Sequence, residues 1–262
     1  THSNLTITEW QNISNGMSII GTYCGTLLRN KVRYVRHGFG VGYSGLNYPA
    51  NSGSQLLDSN DLREFSGDSA RMNSSDLIIR NNKFIDGYAS VADGDPNHDD
   101  GIQGFKLDGG FYQNILIEGN YILDRTSSTR LFLTDYQGIS IFDGLFKDVT
   151  IRKNILLVGA WHGISMYGVD GAVIENNTVL TTSGKSLWIG AFNSKQGVPP
   201  KNIVVKNNIA TKIDNKLYTV DQNNYSVTNP QNHFVKFDVT NGQYDLHLKP
   251  SSPLYGKGAG AL

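Results

Sequence analysis

Leu77-Ile78-Ile79 followed by Asn82, Ile115-Leu116-Ile117 followed by Asn120, and Val149-Thr150-Ile151 followed by Asn154 decide how this chain reads. Ala172-Val173-Ile174 with Asn177 and Ile203-Val204-Val205 with Asn208 continue the series. Each copy is a mostly apolar triplet with an Asn at a constant distance. Such a fixed phase marks an internal repeat. A column of Asn suits a turn in which each Asn takes a left-handed or bridging backbone and bonds through its side-chain amide to the next coil.

A second pattern places a Gly before alternating apolar residues: Gly16-Met17-Ser18-Ile19, Gly38-Phe39-Gly40-Val41, Gly101-Ile102-Gln103-Gly104, Gly138-Ile139-Ser140-Ile141 and Gly163-Ile164-Ser165-Met166. Ser186-Leu187-Trp188-Ile189 reads as a diverged copy. Both patterns have the period of two expected of strands and are too short for helices. Copies of the second are 22, 63, 37, 25 and 23 residues apart. The short intervals match one coil of a parallel β-solenoid with three strands per turn. The expected fold is therefore all-β: a single right-handed parallel β-helix domain over residues 1–262. Seven or eight coils at the usual strand spacing make a rod on the order of 35 to 40 Å long. The long intervals predict inserted loops at residues 43–75 and 121–134 that wall a groove.

Composition narrows the function. Among 262 residues, 23 basic and 23 acidic side chains cancel, so the basic excess of a nucleic-acid or membrane-surface binder is missing. No apolar run of membrane-spanning length occurs, so neither nucleic acid nor a bilayer is an expected partner. The single cysteine, Cys24, rules out an internal disulfide and is expected as a buried core thiol. Residue 1 falls in what reads as mature sequence without a secretion signal. Phosphate-binding Gly loops, zinc-ligand spacings and a Gly-x-Ser-x-Gly elbow are all missing, which argues against a kinase, a dehydrogenase or an α/β-hydrolase.

The tail, Tyr244-Asp245-Leu246-His247-Leu248-Lys249-Pro250-Ser251-Ser252-Pro253-Leu254 and its Gly-rich end, is similar to the terminal segment of many parallel β-helix proteins. Residues 240–262 are expected to form a cap. Over its whole length the chain resembles the pectate-lyase-like superfamily of right-handed β-helix proteins. That resemblance implies polysaccharide lyases, hydrolases, C5-epimerases or phage tailspike depolymerases. It also implies an extracellular, periplasmic or virion-surface location, with oligomers expected if the chain is phage-derived.

Rows of side chains along one face of such a rod can hold an extended glycan. The position before each Gly of the second pattern gives Asn15, His37, Asp100, Gln137 and His162, with Lys185 before the diverged copy. Solvent exposure alone explains polar residues there; a binding row explains them equally. The stretch Asp93-Gly94-Asp95-Pro96-Asn97-His98-Asp99-Asp100 packs four aspartates and a histidine into eight residues. Crowded carboxylates cost free energy unless a cation, a proton or a substrate relieves them. Three readings stand: a solvated acidic loop, a calcium site using Asp93, Asp95 and Asp99, or a catalytic cluster centred on His98, Asp99 and Asp100. The stretch resembles the Asp-Pro-His-Asp signature of alginate C5-epimerases, with Asn97 intervening. This resemblance implies catalytic roles for His98 and Asp99.

Aligning coils by their Gly brings Asp135, Tyr136 and His162 level with this cluster, and Lys106 follows on its own coil. These complete the candidate catalytic set. Candidate substrate contacts are Gln103, Arg125, Arg130, Asp143, Trp161, Tyr167, Lys185 and Trp188; cations would meet carboxylates, and aromatic faces would stack on sugar rings. Together they suit proton removal next to a uronate carboxylate, which needs a neutralising cation, a base and an acid. The expected activity is a lyase that cleaves an acidic, alginate-like polysaccharide by β-elimination, with calcium as the one cofactor considered. Hydrolysis through Asp100 with Asp135 or Asp99 with Asp143, epimerisation, and a non-catalytic binding or structural β-helix are the alternatives.

Overall fold

The computed structural model describes residues 15–42, 53–87, 99–106, 109–126, 136–159 and 161–262. Three parallel sheets of eight strands run side by side, and every third strand in sequence pairs with the next. The chain therefore winds sheet to sheet to sheet, three short strands per coil. The first sheet stacks Met17–Ile19, Phe39–Gly42, Ala70–Asn73, Asp100–Phe105, Gln137–Asp143, His162–Tyr167, Trp188–Phe192 and Lys212–Asp214. Its inner row pairs Ile102 with Ile139 and Ile139 with Ile164. In the second sheet Ile79, Ile117, Ile151, Ile174 and Val205 lie in register, all fully buried. Burying each such side chain stabilises the fold by about 1.5–3 kcal/mol.

The Asn column is present and longer than the repeats suggest. Asn60, Asn82, Asn120, Asn154, Asn177 and Asn208 each accept, on the side-chain oxygen, the backbone N–H and side-chain amide of the preceding coil's Asn. Asn224 closes the series beneath Asn208. The left-handed conformation does not fall on these Asn residues, as expected from sequence, but one position earlier. Arg29, Ser59, Asn81, Gly119, Lys153, Asn176, Asn207 and Asn223 have φ between 53° and 64°. Reversing the chain at the preceding residue turns each ladder Asn inward, where its amide stacks along the rod.

Beside the amide ladder runs a ladder of charge. Register places Asp58, Arg80, Glu118, Arg152, Glu175 and Lys206 one above another with strictly alternating sign. Ion pairs join Arg80 to Asp58 at 2.9 Å, Arg152 to Glu118 at 2.9 Å and Lys206 to Glu175 at 3.1 Å. Burial alone would raise the Asp58 carboxyl; hydrogen bonds from Ser59, Arg80 and Asn81 and the Arg80 charge hold it below its ordinary value.

Several sequence expectations shift. Within 43–75, strands Gln55–Asp58, Asp61–Phe65 and Ala70–Asn73 form a complete coil rather than an insertion; residues 43–52 lie outside the described residues. The coil escaped notice because Ser69 stands where its neighbours carry Gly. Tyr121–Leu123, placed in the second insertion, is a strand of the third sheet. Cys24 is exposed, not a core thiol.

The tail covers a flank rather than an end. Strands Phe234–Asp238 and Gln243–Leu248 pair antiparallel. With Leu254 and Ala259 they pack on Ile155, Leu157, Leu180 and Ile209 of the third sheet. Ile155–Val158 is consequently buried at all four positions, since both of its faces are covered. At the final coil Tyr218 packs against the main core and donates its hydroxyl proton to the Ile189 carbonyl at 2.6 Å.

Candidate functional site

The outer face of the first sheet carries a polar row just before each strand core. Extending the register puts Asn15, His37, Asp68, Asp100, Gln137 and His162 in line, with Trp188 paired to His162. Asp68 is the member that sequence reading passed over, again because Ser69 replaces the marker Gly. Polar-small-apolar spacing in Asp68-Ser69-Ala70-Arg71-Met72 was the signal that could have found it.

Asp68 organises the row's first half. Its carboxylate accepts from Arg71 Nε at 2.6 Å and from the Asp100 backbone N–H at 2.9 Å. Its own N–H donates to His37 Nδ1 at 2.9 Å, and Arg71 Nη2 lies 3.1 Å from His37 Nε2. A guanidinium only donates, so the ring sits between two donors, the Asp68 N–H at Nδ1 and Arg71 Nη2 at Nε2. The imidazole edge and the guanidinium thus stand side by side. Both line a cleft of about 370 Å³ together with Asn15, Asn73 and Phe105.

Asp99 and Asp100 adjoin this cluster, and both are buried. Ser140 Oγ donates to Asp100 Oδ1 at 2.6 Å. Tyr136 departs from its expected place in the groove. It lies wholly in the core, edge-on to Phe65, bonded to the Ser69 hydroxyl and donating to the Asp100 carbonyl at 3.1 Å. Burial, reinforced by the charges of Asp68, Asp100 and Asp99, pushes its hydroxyl well above the ordinary value. A core phenol cannot meet a glycan, so Tyr136 supports the site from beneath. Lys106 points elsewhere, lining a separate cleft of about 310 Å³ with Gly144, Leu145 and Val198, its ammonium 4.8 Å from the Tyr112 ring centre.

Gln103 sits between Arg71 and Ser140 in the next row out. Further along, His162 and Tyr167 meet at a cluster of rings. Phe142 packs edge-on against His162 at 4.7 Å and Tyr167 at 5.0 Å; Trp188 lies 5.1 Å from His162, and Phe192 5.0 Å from Tyr167. Small residues Ser140, Ser165 and Gly190 floor this part. A Cβ on Gly190 would sit 2.5 Å from the Phe192 ring, so only glycine leaves room for it.

The diverged copy aligns two residues later than sequence suggested. Ile189, not Leu187, is level with Ile164, which brings Trp188 into the polar row and leaves Lys185 out of it. Lys185 instead places its ammonium 5.9 Å from the ring of Trp161, which is exposed. Arg125 is half-buried after the third-sheet strand Tyr121–Leu123 and does not line the cleft. Asp93, Asp95, His98, Arg130 and Asp135 lie outside the described residues, as does the side chain of Asp143.

Calcium finds a poor donor set among the described residues. A ring nitrogen of His37 and one oxygen each from Asp68 and Asp99 lie within 4.8 Å of one another. Calcium takes oxygen ligands, whereas imidazole suits transition metals. The Arg71 guanidinium on Asp68 already supplies this cluster with a cation.

No curated protein and no solved structure matches the chain. A family model described as a right-handed β-helix region matches residues 50–236. That span is well over half of the chain and contains six complete three-strand coils of the stack just described. The chain belongs to the right-handed β-helix family.

Proposed function

We propose that this protein is a polysaccharide lyase that cleaves an acidic, uronate-containing chain by β-elimination at the His37–Arg71 cleft. The observation that carries the reading is the Arg71 guanidinium, held by Asp68 beside the His37 ring on the face of the cleft. Elimination begins with loss of the proton next to a uronate carboxylate. Charge then builds on that carboxylate as the carbanion forms, and guanidinium donors aimed at it stabilise the transition state more than the ground state. Asp68 holds the guanidinium and the imidazole in place, and Ser140 and Tyr136 brace Asp100 behind it. We assign the base to His98. It immediately precedes Asp99 in the sequence.

Hydrolysis fits less well. It needs two carboxyl groups flanking the scissile bond, whereas Asp68, Asp99 and Asp100 are buried beneath the cleft's surface. The test is ultraviolet absorbance during incubation with a panel of acidic polysaccharides, because elimination conjugates a new double bond with the carboxylate. Absorbance should rise, and Arg71→Ala should slow it by about 100-fold or more, the usual cost of losing a transition-state donor. His98→Ala should abolish it. A flat trace with falling viscosity would establish a hydrolase instead, and a flat trace with no cleavage a binding module.

A further inference from the structure

The outer face of the second sheet carries an apolar stripe. Register stacks Leu56, Ile78, Leu116, Thr150, Val173 and Val204 one above another, all half-buried, and Val220 ends the row exposed. None of these side chains belongs to either buried cluster among the described residues. Parallel strands that are apolar on both faces ordinarily have both faces covered. In the third sheet that character goes with cover by the tail. The stripe on the second sheet has the same character and no such cover among the described residues. Two residues further along each strand, and so on the same face, stands the charge ladder Asp58, Arg80, Glu118, Arg152, Glu175 and Lys206. Reversing this even-numbered alternating row turns every sign into its opposite. A second copy laid antiparallel on it therefore meets unlike charge at every level. Glu118 faces Arg152 of the second copy, Arg80 faces Glu175, and Asp58 faces Lys206. The same reversal sets Leu116 against Thr150, Ile78 against Val173 and Leu56 against Val204. An odd-numbered row would meet itself like on like.

We propose that the outer face of the second sheet is the interface of a homodimer, in which two rods pack antiparallel about a two-fold axis passing between Glu118 and Arg152. At the axis two glutamates and two arginines alternate around a square, and such networks contribute more than isolated surface pairs. The arrangement is isologous and closed, so association stops at two. Parallel rods match the ladder less well. They would set it against the sheet's other flank, where Glu118 and Glu175 would meet the uncharged Asn114 and Gly171. Eight strands of about five residues present a flat footprint of roughly 600 Å² per copy. That is the low end for a specific interface, so the dimer forms at micromolar concentration. The pairing does not depend on the chemistry assigned to the first-sheet cleft.

The test is sedimentation of the whole protein from about 1 to about 200 μM, a range over which a micromolar dimer fills. The mass should approach twice the chain's 28.8 kDa at the top of that range. Thr150→Glu brings two carboxylates together near the axis. It should weaken the dimer by about tenfold or more, while the melting temperature of dilute protein stays unchanged. The decisive pair is Glu118→Lys and Arg152→Glu. Alone, each sets like charge across the axis and should weaken its own dimer by about tenfold or more. Mixed in equal amounts, the two variants again present unlike charge at every level, so a heterodimer should form within about threefold of the parent's affinity. A folding defect within one chain is not cured by mixing, which separates the interface from lost stability. A single chain at every concentration, a dimer indifferent to Thr150→Glu, an assembly larger than two, or a mixture that fails to pair would each overturn the proposal.

Discussion

The phenol of Tyr136 sits where no solvent reaches it, and its hydroxyl ties two coils together. It bonds to Ser69 on one strand and to the Asp100 carbonyl on the next. Both contacts lie directly beneath the cleft, so its role is to hold the Asp68–Asp100 backbone level. Tyr136→Phe should cost about 1–2 kcal/mol in a denaturant titration, the price of unmade buried hydrogen bonds. Activity per folded molecule should fall only modestly. A loss of several orders of magnitude with unchanged stability would instead make the hydroxyl a proton carrier and overturn the core assignment. At this scale sequence reading erred for a definable reason. Alignment by the Gly placed Tyr136 one position before the polar row, at a corner where the chain turns from the third sheet into the first. Which way a corner residue faces depends on that turn, and strand periodicity does not reach into it.

At the scale of the element, the Asn ladder and the charge ladder both act along the stacking direction, which no single coil contains. Asn154 is typical: its amide accepts two bonds from Asn120 and donates to the Ile117 and Arg152 carbonyls and to Asn177. Asn154→Ala removes all of these from a dry site and strands their partners, so it should cost at least ~3 kcal/mol. Asn224→Ala, at the half-exposed end of the ladder, should cost about 1 kcal/mol, both read by urea titration. Equal losses would mean that the ladder does not act as a stack. The charge ladder predicts its own signature. Glu118→Lys would set like charge between Arg80 and Arg152 and should lower stability by about 1 kcal/mol, an effect that shrinks as salt is added. Five Asn positions were legible from sequence because an apolar triplet announced each one. Asn60 was not, since Gln55-Leu56-Leu57 begins with a polar residue, nor was Asn224, which follows Thr219-Val220-Asp221 at the same spacing. The alternating charges were also missed: their order appears only when residues tens of positions apart are stacked.

For the molecule as a whole, the solenoid's stability is carried by contacts between neighbouring coils, so its weakest places are its ends. The tail alters that gradient. After covering the third sheet it runs along the ladder side of the last coils, where the Gly260 N–H donates to the Asn207 carbonyl and the Ala261 N–H to Thr178 Oγ1. Asn176 and Asn223 in turn donate their side-chain amides to the Gly258 and Lys257 carbonyls. The tail thus links three successive turns that would otherwise open one after another. Phe237, buried against the flank, anchors it. Phe237→Ala should cost the tail about 3–4 kcal/mol of packing. The loss should not spread evenly. Hydrogen exchange read at the ladder amides should show Asn177 and Asn208 losing protection by about 100-fold or more, the equilibrium equivalent of that energy, while Asn82 and Asn120 keep theirs. Uniform acceleration at all four would mean that the stack opens as one cooperative unit and that the tail does not act as a local clamp. Protection unchanged at all four would mean that the late coils are secured by the two ladders and that the tail's packing adds nothing to them.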